Sequence, residues 1–480
     1  MRRRAASTLL LLLAAAACSR KEERPPVSRI ESDTTRSAAE WMQLEPVRLL
    51  SEYVRIDTSQ GKSEEAGARF LKELFDCEGI ESEIVCPAPG RCNLLARIPG
   101  KRREGALLLL NHIDVADAYP SLWKDSTPFS GEIRRGYLYG RGTYDMKSLA
   151  LAQALALREV KRLGVVPESD LLFLAEADEE LGQRWGSKWL LANRPEWFRG
   201  VADVLNEGGT TEMVLRDVRF WGLETLQAGY ASAQFRAAQS GLMEDLARRW
   251  KKISAPAVTP HPHVVLGFDL LANHLVHPLT DPLRHLDRVV REPAELAILP
   301  DRYGAFLEPR IFWTPPFPDP PGAKDSFGSY VVVSTPPGID PGAYLNPIVK
   351  EAAAAGLETR WRISTGPTEA SPYPTPFTDL LRRVTEVHFP GVPFGPVPTF
   401  GGYTTSVLYR QRGIPAYGYA LVPTNITDSV RRHGNDERIF LRDYLNGVSL
   451  YADIVLDWTL QRPEREEPRA TPSPSGRGPG

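Results

Sequence analysis

Apolar residues alternate between two patterns along the chain, and this alternation predicts the fold class. "GALLLLNHID" and "DLLFLAEA" are apolar at successive positions, as expected of strands buried on both faces of a sheet. Between them, "MKSLALAQALALREVKRLG" has the period of an amphipathic helix that ends at Gly164. Further strands at "NLLARIPG" and "VADVLNEGG" and a helix at "SKWLLAN" continue the series. The pattern predicts an α/β protein, with a mixed sheet flanked by helices on both faces.

The pattern changes after about Ala228. Residues 229–350 hold five of the eight histidines and proline-rich stretches such as "WTPPFPDPPG", and "YVVVSTPPG" reads as the last strand of this region. Strand and helix patterns like those of the first part return with "TPFTDLLRRVTEVHF", "GIPAYGYALV" and "LRDYLNGVSLYADIVLDWTL". We therefore predict a catalytic-type sheet domain in two parts, 39–228 and 351–462, interrupted by a smaller α+β lid or dimerisation-type domain at 229–350.

The two ends of the chain differ from the rest. "MRRR" followed by "LLLLLAAAAC" predicts a signal peptide over 1–18 with a lipobox-like end at Cys18, because the apolar run is too short to span a bilayer. Residues 19–38 are expected to form a flexible tether and residues 463–480 a disordered tail. The protein is expected to be exported as a membrane-anchored lipoprotein facing the periplasm or the cell surface. Ala15 replaces the usual leucine, so a periplasmic or secreted protein is the alternative.

Charge and cysteine content narrow the classes of function only slightly. The chain has 58 basic and 60 acidic side chains and a net charge of -2, so no basic surface for nucleic acid is expected. Beyond Cys18 the cysteines are Cys77, Cys86 and Cys92, whose spacing matches no zinc ribbon. They permit one disulfide at most among themselves, and the sequence leaves open whether one forms.

Potential metal ligands follow several predicted strand ends. They are His112 and Asp114 in "LLLLNHIDV", Asp145 in "GRGTYDMKS", Glu179 and Glu180 in "LLFLAEADEE", Glu207 in "VLNEGG" and His433 in "RRHGNDERI". Taken singly, each has a structural explanation, such as a satisfied core histidine, a helix cap or a solvated first turn. Ligands of α/β sheets bind at the carboxyl ends of strands, so five such segments in one chain indicate a common site.

In order along the chain, "HID", "GRGTYDMK", "DEELG", "NEGG" and "HGNDER" resemble the motifs of the co-catalytic zinc hydrolases. That family includes aminoacylase, carnosinase, glutamate carboxypeptidase, Gly-Xaa carboxypeptidase and succinyl-diaminopimelate desuccinylase. The resemblance covers roughly 40–228 and 350–460. It implies a zinc-peptidase-like fold, two Zn²⁺ per subunit (replaceable by Co²⁺ or Mn²⁺) and hydrolysis of a small peptide or N-acyl amino acid. A monomer and a homodimer are both compatible with it.

The resemblance also implies a role for each residue. Asp145 would bridge the two ions, with His112 and Glu207 completing one and Glu180 and His433 completing the other. Glu179 would be the general base for attack by a metal-bridged hydroxide, and Asp114 would accept the second N–H of His112.

The residues expected to recognise the substrate depart from the family pattern. "QFRAAQSGLMEDLARRW" lacks the lid histidine, so His261 or His263 of "TPHPH" replaces it or the enzyme works without it. Ser334 stands where the family's lid arginine binds a substrate carboxylate. A substrate loop is expected at Gly401, Gly402, Thr404 and Thr405. These departures leave two alternatives: an enzyme for amides without a free carboxylate, and a catalytically weak secreted binding lipoprotein on the same fold.

Overall fold

A computed structural model of the chain describes residues 36–214, 217–252, 257–274, 280–318, 326–399 and 402–460. The predicted signal peptide, nearly all of the tether and the predicted tail lie outside these ranges. Within them, no helix combines the length and the apolar character that crossing a bilayer requires.

The strands and helices that the apolar pattern predicts occur in the expected order, together with further elements. The strands are β1 (Glu81–Ala88), β2 (Arg91–Ile98), β3 (Arg102–His112), β4 (Glu132–Arg134), β5 (Tyr137–Tyr139), β6 (Ser169–Glu176), β7 (Val201–Asn206), β8 (Thr210–Val214), β9 (Asp217–Leu223), β10 (Gly229–Ala237), β11 (Arg310–Trp313), β12 (Phe317–Pro318), β13 (Phe327–Thr335), β14 (Glu358–Ser364), β15 (Phe394–Pro396), β16 (Ala416–Gly418) and β17 (Arg438–Phe440). The helices are α1 (Ala38–Trp41), α2 (Glu45–Val54), α3 (Glu65–Asp76), α4 (Lys147–Leu163), α5 (Ser187–Asn193), α6 (Ser240–Arg249), α7 (Pro262–His274), α8 (Thr280–Arg284), α9 (Leu286–Val289), α10 (Pro293–Ile298), α11 (Asp301–Gly304), α12 (Gly342–Ala354), α13 (Pro376–His388), α14 (Ser406–Arg410), α15 (Ile426–Ser429) and α16 (Leu441–Leu460).

The main sheet has the strand order β1-β2-β6-β3-β7-β16. Strands β3, β6, β7 and β16 run parallel, whereas β1 and β2 join as an antiparallel edge. Every residue of β6 is buried, because helices cover both faces. One cover consists mainly of α2, α3, α4 and α16, and the other includes Leu190, Trp197, Phe198 and Tyr409. The predicted mixed sheet with helices on both faces is confirmed.

The parallel strands bring the predicted site to one edge of this sheet. His112 at the end of β3 pairs with Glu176 at the end of β6, and β7 ends at Asn206 beside them. Helix α4 ends at Gly164, which adopts a left-handed conformation with φ of 66° and so terminates the helix as predicted. Because β3, β6 and β7 are parallel neighbours, the chain segments that follow them lie side by side at one edge of the sheet.

The inserted lid contains a second sheet, of strand order β11-β13-β10-β14. Helices α6 and α12 pack on one of its faces around Phe235, Leu246 and Ile348. Strand β14 pairs with β10, so the lid sheet continues past residue 350 and the predicted last strand at 330–338 is followed by another. The sequence "ETRWRIS" alternates polar and apolar residues as an edge strand does, so it contains no continuous apolar run that would reveal it.

The lid also carries a helical cluster, formed by α7 to α11 around Phe268 and Phe306. It packs against Phe220 of β9 and Val397, which follows β15.

The sequence left open whether a disulfide forms, and the structure answers this in part with a disulfide between Cys86 in β1 and Cys92 in β2. The bridge cross-links the edge hairpin of the main sheet, far along the chain from the lid.

Candidate metal centre

The structure brings together all five predicted metal ligands. Nε2 of His112 lies 3.2 Å from Oδ1 of Asp145 and 3.8 Å from Oε1 of Glu207. Nε2 of His433 lies 3.1 Å from Oδ2 of Asp145 and 3.1 Å from Oε1 of Glu180. The two oxygens of Asp145 thus face two different imidazoles, each accompanied by a further carboxylate.

This donor set fits divalent cations. Ligand atoms of His112, Asp145 and Glu180 lie within 4.8 Å of one another, as do those of His112, Glu179 and Glu207. Oε1 of Glu180 is buried without a hydrogen-bond partner among the described residues, although the His433 nitrogen is close. Imidazole nitrogen together with carboxylate oxygen is a combination that zinc binds well. A buried carboxylate oxygen without a donor is satisfied when a cation occupies the space before it.

The electrostatics of the cluster also call for added positive charge. Burial, reinforced by the charges of Glu207 and Glu180 and opposed by His112, holds the pKa of Glu179 well above its usual range. Burial and the charge of Asp145 raise the pKa of Glu207 to about 8. The charge of Glu180, against the effect of burial, raises the pKa of His433 to about 11. Each of these pKa shifts reflects an excess of negative charge in the cluster, which bound cations would compensate.

The loop that follows β6 is held in place by Asp114. Its two carboxylate oxygens accept the backbone N–H groups of Glu179 and Glu180, each at 3.0 Å. The expected hydrogen bond from His112 to this carboxylate is replaced by a contact of Nδ1 with the backbone oxygen of Asp114 at 2.8 Å, while Oδ1 is 3.6 Å away. Strand β3 ends at His112 and the chain turns there, which leaves the Asp114 carboxylate beyond hydrogen-bond distance of Nδ1. Asp114 therefore orients the ring through its main chain and the acidic loop through its side chain.

A buried carboxylate that the sequence analysis did not single out, Glu437, fixes the loop of Asp145. It accepts N–H groups from Gly142 (3.1 Å), Tyr144 (2.7 Å) and Asp145 (3.2 Å), and it pairs with Arg141 at 2.6 Å. Both partners of the ion pair are almost fully buried. One feature of the sequence could have indicated this ion pair. Arg141 stands in "GRGTYD" and Glu437 in "HGNDER", two segments already assigned to one site.

Two further residues missed in the sequence contact the predicted base. Nε2 of Gln183 donates to Oε1 of Glu179 at 3.1 Å and to Oγ1 of Thr405 at 3.2 Å. The hydroxyl of Tyr403 donates to the backbone oxygen of Glu179 at 3.1 Å. Glu179 and Gln183 are both buried. The hydrogen bond from the Gln183 amide restricts the Glu179 carboxylate to one orientation. No local pattern in the sequence predicts this contact.

The predicted substrate loop reaches the site, but its threonine hydroxyls are engaged within the protein. Gly401 lies outside the described residues, and Gly402 has a positive φ of 125°. Oγ1 of Thr404 donates to Oε1 of Gln227 at 3.3 Å, and Thr405 hydrogen-bonds to the side chain of Glu176. Both threonines are buried. Their side chains stabilise the loop, and the backbone N–H of Thr404 is engaged as well, donating to Oε1 of Gln227 at 3.1 Å.

The lid histidines lie at the start of a helix. Helix α7 begins at Pro262 and places His263 in its first turn. Nδ1 of His263 lies 3.1 Å from Oγ1 of Thr225, and the rings of His261 and His263 are 5.0 Å apart. Pro is compatible with the first turn of a helix, which is why the proline did not prevent it. These contacts lie outside the ligand cluster.

A cavity of about 1210 Å³ adjoins the cluster at Asp145 and Glu207. Its wall is partly apolar and also includes Arg432, next to His433 in the chain. Burial lowers the pKa of Arg432, but the charges of Asp145 and other nearby groups outweigh this and raise it, so the guanidinium is charged. The other lining residues include Leu149, Met213, Arg219, Phe220, Leu271, Arg302 and Tyr303.

A histidine–carboxylate cluster at the carboxyl edge of a sheet, beside an inserted lid, defines a two-domain metallohydrolase. Residues 108–457 match the model of peptidase family M20/M25/M40, and the chain belongs to this family. The resemblance read from the motifs is confirmed.

The solved structures show the same fold over most of the chain. The M20 family metallo-carboxypeptidase of Sulfolobus solfataricus has a TM-score of 0.62 at 16% identity, covering 87% of this chain and 100% of that one. Human carnosine dipeptidase 1 has a TM-score of 0.62 at 17% identity, covering 87% and 97% of the two chains.

The curated relatives are similar over shorter stretches. A probable succinyl-diaminopimelate desuccinylase of Staphylococcus aureus is 36% identical over 150 residues, which is 31% of this chain and 36% of that protein. An N-fatty-acyl-amino acid synthase/hydrolase of Xenopus tropicalis is 29% identical over 182 residues, 35% of each. The chain thus spans about a third of the length of the curated relatives it matches.

Proposed function

We propose that this chain hydrolyses the amide bond of small peptides or N-acyl amino acids with two zinc ions. The observation that carries the proposal is the position of Asp145 between two imidazoles, with Glu179 beside the same cluster. Family membership supports the same class of reaction.

The proposed ligand roles rest on which carboxylate accompanies each imidazole. Asp145 would bridge the ions, His112 and Glu207 would complete one, and Glu180 and His433 the other. Bound zinc would supply Lewis acidity and make a water nucleophilic near neutral pH, and Co²⁺ or Mn²⁺ could take its place. Glu437 and Asp114 hold the two loops that present these ligands.

Glu179 is proposed as the general base. Its carboxylate would take a proton from the attacking water and deliver that proton to the nitrogen of the leaving amine. The Gln183 amide bonds one oxygen, Oε1, and so directs the other oxygen toward the reacting water.

Arg432 is proposed to bind the carboxylate of the substrate. The lid position that carries an arginine in relatives is Ser334 here, whereas Arg432 lines the cavity that opens at Asp145 and Glu207. A guanidinium is a suitable partner for a carboxylate because it presents a planar pair of donors. This favours substrates with a free carboxylate over the alternative of an amide that lacks one.

The test is hydrolysis of a panel of dipeptides and N-acyl amino acids by zinc-loaded protein, with zinc content measured. Glu179→Gln is expected to keep both zinc ions while kcat falls by about 10²–10⁴. Glu244→Gln, an exposed carboxylate on α6, serves as the matched control and should retain full activity. Near-normal turnover in Glu179→Gln would show that another group is the base.

A second comparison separates the two kinds of substrate. Arg432→Ala should raise KM for acids by about 10-fold or more, with little effect on the corresponding carboxamides. Equal effects on acids and carboxamides would favour an enzyme for amides without a free carboxylate. Asp145→Ala should lose zinc as well as activity, and two tightly bound zinc ions in that variant would refute the bridging role.

A further inference from the structure

The substrate loop is tied to the lid through Gln227. This residue is fully buried and lies between β9 and β10, where the chain enters the lid sheet. Its Oε1 accepts the backbone N–H of Thr404 at 3.1 Å and the Thr404 hydroxyl at 3.3 Å. Its backbone oxygen accepts the hydroxyl of Thr368 at 2.9 Å, in the segment between β14 and α13. Gln227 therefore joins the substrate loop to both connections by which the chain enters and leaves the lid sheet.

The next residue of the same loop is tied to the proposed base through Gln183. Nε2 of Gln183 donates to Oε1 of Glu179 at 3.1 Å and to Oγ1 of Thr405 at 3.2 Å, which uses both N–H bonds of the amide. The Thr405 hydroxyl in turn bonds the side chain of Glu176. Without the Thr405 hydroxyl, one buried N–H of Gln183 would lose its acceptor, and the amide would no longer be held against Glu179.

Tyr403 makes a second connection between the lid and the base. Its hydroxyl donates to the backbone oxygen of Glu179 at 3.1 Å. Its ring centroid lies 5.1 Å from that of Tyr230, the second residue of β10. The substrate loop thus contacts the first strand of the lid and both the main chain and, through Gln183, the carboxylate of Glu179.

We propose that the substrate loop transmits the position of the lid to the Glu179 carboxylate, with Gln227 and Gln183 as positioning residues. This rests on the proposed function, in which Glu179 is the base. A displacement of the lid moves Gln227 and with it Thr404, the neighbouring Thr405 and the Gln183 amide. Misplacing a catalytic group by about 1 Å can cost about 10²-fold in rate, so such a displacement lowers kcat more than it raises KM.

The first test removes one hydroxyl from the connection. In the zinc-loaded full chain, Thr405→Val keeps the shape of the side chain and should lower kcat by about 10–100-fold, with zinc content unchanged and KM little altered. Thr405→Ser, which keeps the hydroxyl, should recover most of the loss. Wild-type kcat in Thr405→Val, or an equal loss in Thr405→Ser, would overturn the proposal.

A double-mutant cycle tests whether the two glutamines act in series. Methionine keeps the length of glutamine without its hydrogen bonds, so Gln227→Met and Gln183→Met should each lower kcat. Together they should cost little more than Gln183→Met alone, whereas the factors of independent residues multiply. Gln411→Met is the control, because Gln411 donates to the backbone oxygens of Thr365 (2.8 Å) and Pro367 (2.6 Å) at the same lid connection. It should leave kcat unchanged, and multiplied factors for Gln227 and Gln183 would contradict the series.

Hydrogen exchange makes the outcome independent of turnover. In the loop that carries Glu179, the backbone N–H of Gly182 donates to the oxygen of Glu179 at 3.0 Å and that of Gln183 to the oxygen of Asp178 at 2.6 Å. Gln227→Met should speed exchange of these amides in the zinc-loaded protein, and Gln411→Met should not. If the wild type hydrolyses no amide, the proposed function fails while this comparison still decides the inference. Unchanged exchange at these amides in Gln227→Met would overturn it.

Discussion

Replacing Glu437 by glutamine tests whether a residue outside the ligand set controls metal binding. Its carboxylate accepts three backbone N–H groups of the Asp145 loop, those of Gly142, Tyr144 and Asp145. It also neutralises Arg141, which donates to the backbone oxygens of Asp117 (3.0 Å) and Gly434 (2.8 Å). Glutamine keeps the size of the Glu437 side chain and one of its acceptor oxygens. It removes the negative charge and places an NH₂ group among the N–H donors that surround the carboxylate.

The expected magnitude follows from burial. Removing one partner of a buried ion pair typically costs about 3–5 kcal/mol, and Arg141 and Glu437 are both almost fully buried. Residues that orient metal ligands typically change metal affinity by about 10–100-fold when replaced. Glu437→Gln should therefore lose about 3–5 kcal/mol of unfolding free energy and bind zinc about 10–100-fold more weakly, while all five ligands remain present.

The assay measures zinc affinity by competition with a chelator, and stability by denaturant unfolding of metal-free protein. Asp170→Asn is the control: Asp170 accepts the N–H of Gly100 at 2.8 Å and pairs with Arg97 at 2.8 Å, at the opposite end of β6. It should lose stability but keep zinc affinity. Wild-type zinc affinity in Glu437→Gln, or an equal loss in Asp170→Asn, would refute the reasoning.

Three further predictions concern other parts of the chain. Burial raises the pKa of Asp203 to about 6, so stability should fall as the pH rises from about 4 to 6, because the unfolded chain has already released this proton. Asp203→Asn should flatten that fall in thermal unfolding and add about 1–3 kcal/mol at neutral pH; an unchanged slope would contradict the assignment. Because His263 contacts Thr225 and His261 contacts His263, replacing both histidines by alanine should change kcat less than about tenfold, and a hundredfold loss at constant zinc would show that they act in catalysis. Finally, we propose that Cys18 is lipidated: Cys18→Ala should release the protein from the membrane fraction or leave it unprocessed, whereas a soluble wild-type protein would refute the anchor.

The sequence by itself determined the buried strands, the amphipathic helix and the set of residues that meet at the candidate metal centre. Strands β3 and β6 are continuous apolar runs, and helix α4 has a clear amphipathic period with a glycine at its end. Such patterns reflect local geometry and burial, which neighbouring residues encode. Parallel strands also end at one edge of a sheet, so ligands placed after β3, β6 and β7 could be assigned to a common site before their distances were known.

The tertiary structure alone decided which distant partners hold that site. Arg141 and Glu437 meet across 296 residues, and Gln183 meets Thr405 across 222. Asp114 was assigned to the His112 ring, but its carboxylate bonds the acidic loop instead, because the chain turns after β3. The position of strand β14 was decided in a similar way. Its polar–apolar alternation fits any sheet with one covered face, and only its pairing with β10 assigns it to the lid sheet. Local sequence specifies a strand, a turn or a charged residue. Which distant residue pairs with it depends on the packing of the whole chain. Packing excludes water, so each buried polar group requires a hydrogen-bond partner within the protein.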